Sequence, residues 1–281
     1  MSAASTQVDR WERLAAAADS VSLAEGALLI AADEYEELDI DLYLERIQEL
    51  GAVLRRRLRS DISTTEALLA LNRYVFEELG FSGNTADYYD PRNSYLNDVL
   101  DRRLGIPITL AVLYIEIGRG IGLPLHGVSF PGHFLVKCVL REGAIILDPY
   151  ARGASLGLDD LQQRLQAVVK EAELDHSVLK NMLISAAPRD IFVRMLRNLR
   201  AIHLSAGDRL KALGASNRII TLLPGAADEY RDRADLYVEL ECFRAALEDF
   251  RSYLRLRPDA QDSEAVSRRI AELEPAVARL N

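Results

Sequence analysis

The sequence predicts an α+β domain followed by an all-helical domain, and three observations support this prediction. Apolar residues recur at three- and four-residue spacing from Leu23 to Leu104, as a buried helix face requires. Short runs rich in β-branched residues follow between positions 125 and 147. The helical pattern returns after about Leu158 with an internal repeat. Helices in front of an antiparallel sheet define the α+β class.

The length and composition allow two ordinary domains. The chain has 281 residues, of which 49% are hydrophobic, and this is ample for buried cores. We expect residues 1–22 to form a loosely attached leader or first helix. The α+β domain is expected over residues 23–185 and the helical repeats over residues 186–281.

The charge of the chain argues against nucleic acid as a partner. The formal net charge is -9 at pH 7, whereas a nucleic-acid binder needs clustered Lys and Arg to displace counterions. The strongest basic run, Arg55–Arg59, follows an acidic stretch from Asp33 to Glu45. We interpret this run as the solvated end of a helix.

Cysteine usage and hydropathy predict a cytoplasmic protein without a membrane segment. The two cysteines, Cys138 and Cys242, fall in separate predicted domains, so we expect no disulfide framework. Charged residues from Asp9 to Arg13 stand where a signal peptide needs an apolar run. The longest apolar stretches are shorter than the roughly 20 residues that span a bilayer.

One predicted helix, from about Pro107 to Arg119, is apolar on nearly all sides. A helix of this kind is buried. Pro107 suits its first turn, where the missing amide hydrogen costs nothing, and Gly120 and Gly122 end it.

The segment before this helix carries two local signals. Glycine and asparagine mark Gly80–Asn84 as a loop. Asn93 and Ser94 precede the apolar residues Tyr95 and Leu96, so we expect them to cap a further helix.

Three strands are predicted over Leu125–Phe130, His133–Leu140 and Ala144–Leu147. The turn at Glu142-Gly143 is typical of a hairpin, so the last two strands should pair antiparallel. This pairing brings His133, at the start of one strand, near Asp148, at the end of the next.

The C-terminal part repeats with a period of 34 residues. This period, with small residues inside and proline at the end of each unit, is typical of tetratricopeptide repeats. We expect two degenerate units and a last helix over about Ser263–Leu273. The residues related by the period are Ala212 and Ala246, Leu213 and Leu247, Leu222 and Leu256, Pro224 and Pro258, and His203 and Tyr237.

The central stretch resembles a known family. The motifs that carry the resemblance are Asn93-Ser-Tyr-Leu96, Gly105-Ile-Pro-Ile108, Gly132-His-Phe134 and Asp148-Pro149. They resemble the transglutaminase-like (papain-like) superfamily, and within it the SirB family, which has a helical-repeat tail. The resemblance covers most of the chain and implies a transglutaminase-like domain followed by tetratricopeptide-like repeats.

The resemblance also implies a catalytic site from which the nucleophilic cysteine is missing. In active members a cysteine starts the buried helix, a histidine takes its proton, and an aspartate orients the histidine. The last two roles fall on His133 and Asp148. The position of the thiol is occupied by Pro107.

Four other residues are candidates for the nucleophile that Pro107 cannot supply. Cys138 lies five positions after His133, and an odd spacing in a strand places side chains on opposite faces. The hydroxyls of Ser94, Thr109 and Ser129 need an activating base within hydrogen-bond reach. For all three hydroxyls, capping or packing is the favoured interpretation.

Three roles remain open for His133 and Asp148. They satisfy each other as buried polar groups, bind a ligand, or serve a hydrolase with another nucleophile. Asn93, Ser94, Pro107 and Thr109 are the candidate pocket residues around them. No His or Cys cluster has the spacing of a metal site and no glycine-rich loop follows a strand, so neither metal nor cofactor is expected.

Two hypotheses for function follow. The first is a non-catalytic interaction or regulatory protein that binds a protein or peptide through its helical repeats. The alternative is an amide- or peptide-bond hydrolase or transferase that uses His133 and Asp148 with an unrecognised nucleophile or water.

Overall fold

A computed structural model describes residues 3–168 and 176–278. It divides into two compact units, Met1–Met195 and Leu196–Asn281. The first unit combines helices with antiparallel strands and the second is helical, as the fold class predicts. The boundaries expected at 22/23 and 185/186 stay predictions.

The first unit contains nine α-helices in its described residues. They are α1 (Ala3–Ala17), α2 (Leu23–Ala32), α3 (Ile40–Arg57), α4 (Thr64–Asn72), α5 (Leu96–Arg102), α6 (Pro107–Gly120), α7 (Leu158–Val168), α8 (His176–Met182) and α9 (Pro188–Ser205), the last of which continues past Met195. A π-helical turn, Arg73–Glu78, extends α4.

The strands of the first unit form two small sheets. They are β1 (Ser82–Gly83), β2 (Leu104–Gly105), β3 (Leu125–Val128), β4 (Leu135–Leu140), β5 (Gly143–Asp148) and β6 (Ala154–Leu156). The first two pair in parallel, and the other four form an antiparallel sheet in the order β3-β4-β5-β6. The predicted hairpin is confirmed, because β4 and β5 pair antiparallel with Val136 opposite Leu147.

Helix α6 is the buried centre of the first unit. Its residues from Ile108 to Ile115 are at most 2% exposed, which confirms the prediction from its apolar faces. Pro107 occupies the first turn, and Thr109 Oγ1 accepts a hydrogen bond from the Ile106 amide at 3.1 Å. The helix packs against α3, where Gly51 and Gly120 allow a close crossing.

Two local predictions were wrong in detail. Gly80–Asn84 contains strand β1, because the backbone of Ser82 and Gly83 pairs with Leu104–Gly105 from outside the local sequence. Asn93 and Ser94 do not cap α5, because the N-cap position of this helix is Tyr95. Asn93 instead ends a 3-10 turn and bonds to the preceding loop.

The second unit contains α10 (Arg209–Leu222), α11 (Ala227–Glu239), α12 (Phe243–Leu256) and α13 (Ser263–Ala278). Helices α10 and α12 begin and end 34 residues apart, as the repeat period predicts. Ala212 and Ala246 are both fully buried, and their two helices each pack against α11. The last helix begins at Ser263 as expected and runs five residues beyond the predicted end.

A buried carboxylate also stabilises the second unit. Glu229 of α11 is 4% exposed and accepts hydrogen bonds from Arg197 at 2.7 Å and Arg200 at 2.6 Å. A buried acid of this kind requires such partners, because an unpaired charge in the interior is costly.

We predict that Gly26→Ala destabilises the protein. A β-carbon at Gly26 would lie 2.2 Å from the ring of Phe192, which is fully buried. Overpacking of this kind costs about 1–3 kcal/mol, more than the ~0.5–1 kcal/mol that alanine gains in a helix. Urea unfolding followed by circular dichroism measures the change.

Gly214→Ala is the matched control. Gly214 lies inside α10, and a β-carbon there meets nothing within 4 Å. The same substitution should therefore stabilise the second unit by ~0.5–1 kcal/mol. Equal effects of the two substitutions would contradict the packing argument.

Candidate functional site

His133 and Asp148 meet at one end of the β4–β5 hairpin. His133 lies two residues before β4 and Asp148 is the last residue of β5. The distance between His133 Nε2 and Asp148 Oδ1 is 3.0 Å. The structure therefore brings together the two residues that the hairpin prediction placed side by side.

The carboxylate of Asp148 accepts four hydrogen bonds. Its Oδ1 also accepts the amides of Tyr150 at 3.0 Å and Ala151 at 3.2 Å, and its Oδ2 accepts Arg164 Nη1 at 2.7 Å. The residue is only 1% exposed. Burial by itself raises the pKa of Asp148, but the bonds and charges of His133 and Arg164 outweigh it and hold that pKa below its usual range.

The two ring nitrogens of His133 differ, because Nε2 is hydrogen-bonded to Asp148 and Nδ1 is not. An ionised carboxylate accepts hydrogen bonds only, so in the neutral ring the proton lies on Nε2, facing Asp148. Nδ1 then carries a lone pair, and it makes no hydrogen bond with the part of the chain that the structure describes. The side chain of His133 is 19% exposed, so a ligand has access to it.

Arg194 of α9 fixes the turn that carries His133. Its Nη2 donates to the His133 carbonyl at 2.7 Å, and its Nη1 donates to the Phe130 carbonyl and to Ser129 Oγ, both at 3.1 Å. The guanidinium also lies over the Phe134 ring, 5.6 Å from its centroid. Burial lowers the pKa of Arg194.

Tyrosines form an aromatic wall beside the histidine. The rings of Tyr150 and His133 meet edge to face at 6.0 Å, and Tyr88 meets Tyr150 at 6.3 Å. Tyr88 is 41% exposed and Tyr89 is 71% exposed. The backbone of Gly83 lies against Tyr150, where a β-carbon would come within 2.3 Å of the ring.

Pro107 is the first residue of α6 and is buried. Helix α6 packs against the turn Pro149–Ala151, which directly follows Asp148. Proline carries neither an ionisable group nor an amide hydrogen. The position to which the resemblance assigns the thiol therefore has no group for a base to activate.

The alternative nucleophiles have structural roles. Cys138 is a fully buried strand residue, as predicted, and burial raises the pKa of its thiol. Thr109 Oγ1 donates to the Asn93 carbonyl at 2.8 Å while it accepts the Ile106 amide. Ser129 is held by Arg194.

The candidate pocket residues are enclosed by protein. Asn93, Ser94 and Thr109 have no exposed surface. The Asn93 amide donates to the carbonyls of Asp87 and Tyr88 and accepts from Asn84, so it shapes the tyrosine loop. Ser94 Oγ is buried without a partner among the described residues. A pocket role for these residues stays a prediction.

Sequence reasoning missed Arg164 and Arg194. Each reaches the site from a distant segment, 16 residues from Asp148 and 61 residues from His133, respectively. The aromatic turn Tyr88-Tyr-Asp-Pro91 is visible in the sequence and indicates part of the wall. Arginines on amphipathic helices carry no comparable signal, because most of them are solvated.

Over residues 3–168 and 176–278, no three His, Cys, Asp or Glu side chains are grouped to hold a metal ion. Within the same ranges, no helix has the length and apolar character needed to cross a bilayer.

Comparison with known families agrees with the architecture. Residues 41–197 match the model of the transglutaminase-like superfamily, and residues 199–271 match a tetratricopeptide repeat model. The fold and the site thus define a transglutaminase-like domain followed by helical repeats. No solved structure matches the chain.

Similar proteins identify the family more narrowly. A UPF0162 protein of Xylella fastidiosa is 39% identical over 264 residues, which cover 94% of each chain. A UPF0162 protein of Pseudomonas aeruginosa is 34% identical over 92% of this chain and 93% of its own. The chain belongs to the UPF0162 family.

A shorter similarity reaches a mammalian protein. F-box only protein 21 of Mus musculus is 38% identical over 125 residues, which are 42% of this chain and 19% of that protein. The shared part is therefore a domain within a longer chain.

We predict that Asp148→Asn destabilises the first unit by about 3 kcal/mol at neutral pH, because it leaves Arg164 and His133 without a charged partner. The folded pKa of Asp148 is below its usual value, so its carboxylate stabilises the fold above the ordinary pKa. This contribution is lost as the pH falls through the folded pKa. The difference between wild type and variant should therefore shrink toward acidic pH.

Urea unfolding at several pH values between neutral and about pH 3 measures this difference. Asp160→Asn is the control, since Asp160 is exposed and its one hydrogen bond among the described residues comes from the Gly157 amide. A difference for Asp148→Asn that stays constant over this pH range would contradict the charge argument.

Proposed function

We propose that this protein is a non-catalytic interaction or regulatory module. The observation that carries the proposal is Pro107, which occupies the first position of the buried helix where the superfamily's thiol is expected. A helix start activates a thiol through its dipole and its free amides. Proline supplies neither thiol nor amide at this place.

The structural role of Asp148 supports the proposal. Four hydrogen bonds to this carboxylate join β5, the following turn, His133 and α7. These bonds explain why a histidine–aspartate pair persists without a reaction, because the fold needs the aspartate. The aromatic wall and the partly exposed side chain of His133 then form a binding surface.

The helical repeats supply the second support. Tetratricopeptide repeats generally mediate protein–protein interaction, and their stacked helices present extended binding surfaces. We propose a protein or peptide partner, and neither nucleic acid nor membrane, in keeping with the net charge of -9. The two free cysteines support a reducing, cytoplasmic setting. The motifs around Asn93 and Gly105 support the SirB name for this family.

We predict that affinity purification with the full chain as bait enriches a stable protein partner. Reversing two surface charges of α11, with Asp232→Lys and Asp235→Lys, should reduce recovery by about tenfold or more. These carboxylates are 42% and 43% exposed. The Asp235–Arg269 pair is exposed on both sides and is worth ~0–1 kcal/mol, whereas Asp232 pairs with the largely buried Arg200, so the stability of the double variant is measured alongside its recovery. Quantitative mass spectrometry measures the recovery.

Asp61→Lys is the control for added positive charge. Asp61 is 74% exposed in the first unit and pairs with Arg59. Circular dichroism checks that each variant is folded. The proposal fails if the wild-type chain enriches no partner reproducibly, or if both variants recover the partner equally.

A second candidate function is an amide- or peptide-bond hydrolase or transferase. The observation that favours it is the unpaired Nδ1 of His133 beside an aromatic wall, with Asp148 on the opposite nitrogen. This arrangement suits a general base that activates water or an unrecognised nucleophile.

For this candidate we predict that His133→Ala abolishes turnover of a substrate found by amide, ester and transamidation screens. His126→Ala is the matched control, because His126 is an exposed residue of β3. Turnover should fall below about one thousandth for the first variant and stay unchanged for the second. Silent screens, or turnover that survives His133→Ala, would exclude His133 as the base.

A further inference from the structure

A cavity of about 570 Å³ lies at the C-terminal end of α6, where α3 crosses that helix. All of it belongs to the first unit. Three arginines and one glutamate line it, together with uncharged residues of α3 and α6 and the serine that caps α2. The lining residues are Ser22, Ile47, Gln48, Gly51, Ala52, Arg55, Arg56, Glu116, Arg119 and Gly120.

The charge of this cavity is opposite to that of the chain. Arg55, Arg56 and Arg119 face a single lining carboxylate, Glu116. The whole chain has a net charge of -9. A concave site with concentrated positive charge attracts anions more strongly than a flat surface does, because the protein walls focus the field.

The carboxylate of Glu116 already accepts hydrogen bonds from within the protein. Glu116 Oε1 accepts the Leu23 amide at the start of α2 and Arg119 Nη1, both at 2.9 Å, and the side chain is 10% exposed. Arg56 pairs with Glu49, which lies outside the lining, at 2.8 Å with both side chains well exposed.

Arg55 makes no ion pair among the described residues. Its Nη1 donates to the Ile121 carbonyl at 3.0 Å, a bond that orients the guanidinium at the end of α6. The basic run was interpreted from sequence as the solvated end of a helix, but this bond holds Arg55 against a second helix. Its remaining N–H groups are available to an acceptor in the cavity.

The crossing of the two helices fixes the positions of these arginines. A β-carbon on Gly120 would lie 3.0 Å from the Cα of Gly51, so the two backbones are in close contact. Arg55 follows Gly51 by one helical turn, and Arg119 precedes Gly120 directly. A site on closely packed helices is pre-organised, which reduces the entropy lost on binding.

We propose that this cavity binds a small phosphate-bearing molecule. Planar guanidinium groups match the several oxygens of a phosphate, and charge-assisted bonds to them are the stronger kind. The cavity volume lies within the range of small-molecule sites. The proposal is independent of the proposed interaction function, because it concerns another face of the first unit.

Titration calorimetry of the full chain with inorganic pyrophosphate tests the proposal, with citrate as the carboxylate comparison. Pyrophosphate should bind with a dissociation constant below roughly 1 mM, and more tightly than citrate. Arg55→Gln should weaken this binding by about tenfold or more. Backbone amide shifts in the NMR spectrum should concentrate at Gly51, Gly120 and Ile121.

Arg59→Gln is the matched control. It removes the same charge from the same end of α3, but Arg59 pairs with Asp61 and lies outside the cavity lining. Its affinity for pyrophosphate should stay within about twofold of wild type. If Arg55→Gln reduces folding, Arg56→Gln removes a second lining arginine, which pairs with the exposed Glu49, and it should also weaken binding.

Binding that is absent up to roughly 10 mM pyrophosphate would overturn the proposal. Equal losses for Arg55→Gln and Arg59→Gln would do the same, since they would show attraction to the general charge of this region. Tighter binding of citrate than of pyrophosphate would overturn the assignment of the ligand as a phosphate.

Discussion

The buried carboxylate of Asp148 is the constraint on which the first unit's site depends. A charge that is 1% exposed is stable only when its oxygens are fully used, and here four hydrogen bonds use them. These bonds fix the end of β5, the turn after it, the orientation of the His133 ring and the side chain of Arg164. A single residue thus couples sheet, turn and helix.

The hydrogen bonds to Asp148 stabilise the fold, and this contribution does not depend on a reaction. A catalytic histidine–aspartate pair and a structural one share the same geometry, because both need an oriented ring and a satisfied acid. By the superfamily resemblance, what distinguishes them is the group at the start of α6, where Pro107 has neither a thiol nor an amide hydrogen.

Arginine carries most of the polar organisation in both units. Only four of the 34 basic residues are lysines. Arg164 and Arg194 hold the site in the first unit, and Arg197 and Arg200 hold the buried Glu229 in the second. A guanidinium has five donors in a fixed plane, so one side chain can connect several acceptors. Arg55 differs in that its donors are only partly used.

The sequence by itself determined the elements whose signal is local. The all-round apolar pattern predicted α6, the Glu142-Gly143 turn predicted the β4–β5 hairpin and hence the meeting of His133 and Asp148, and the 34-residue period predicted the repeats. Tertiary structure alone decided the roles of Arg164, Arg194 and Arg55, the pairing of β1 with β2, and the use of Asn93 in a loop rather than a cap. These features depend on contacts between segments that are far apart in the chain, and periodicity records only which face of an element is buried, not which residue it meets there.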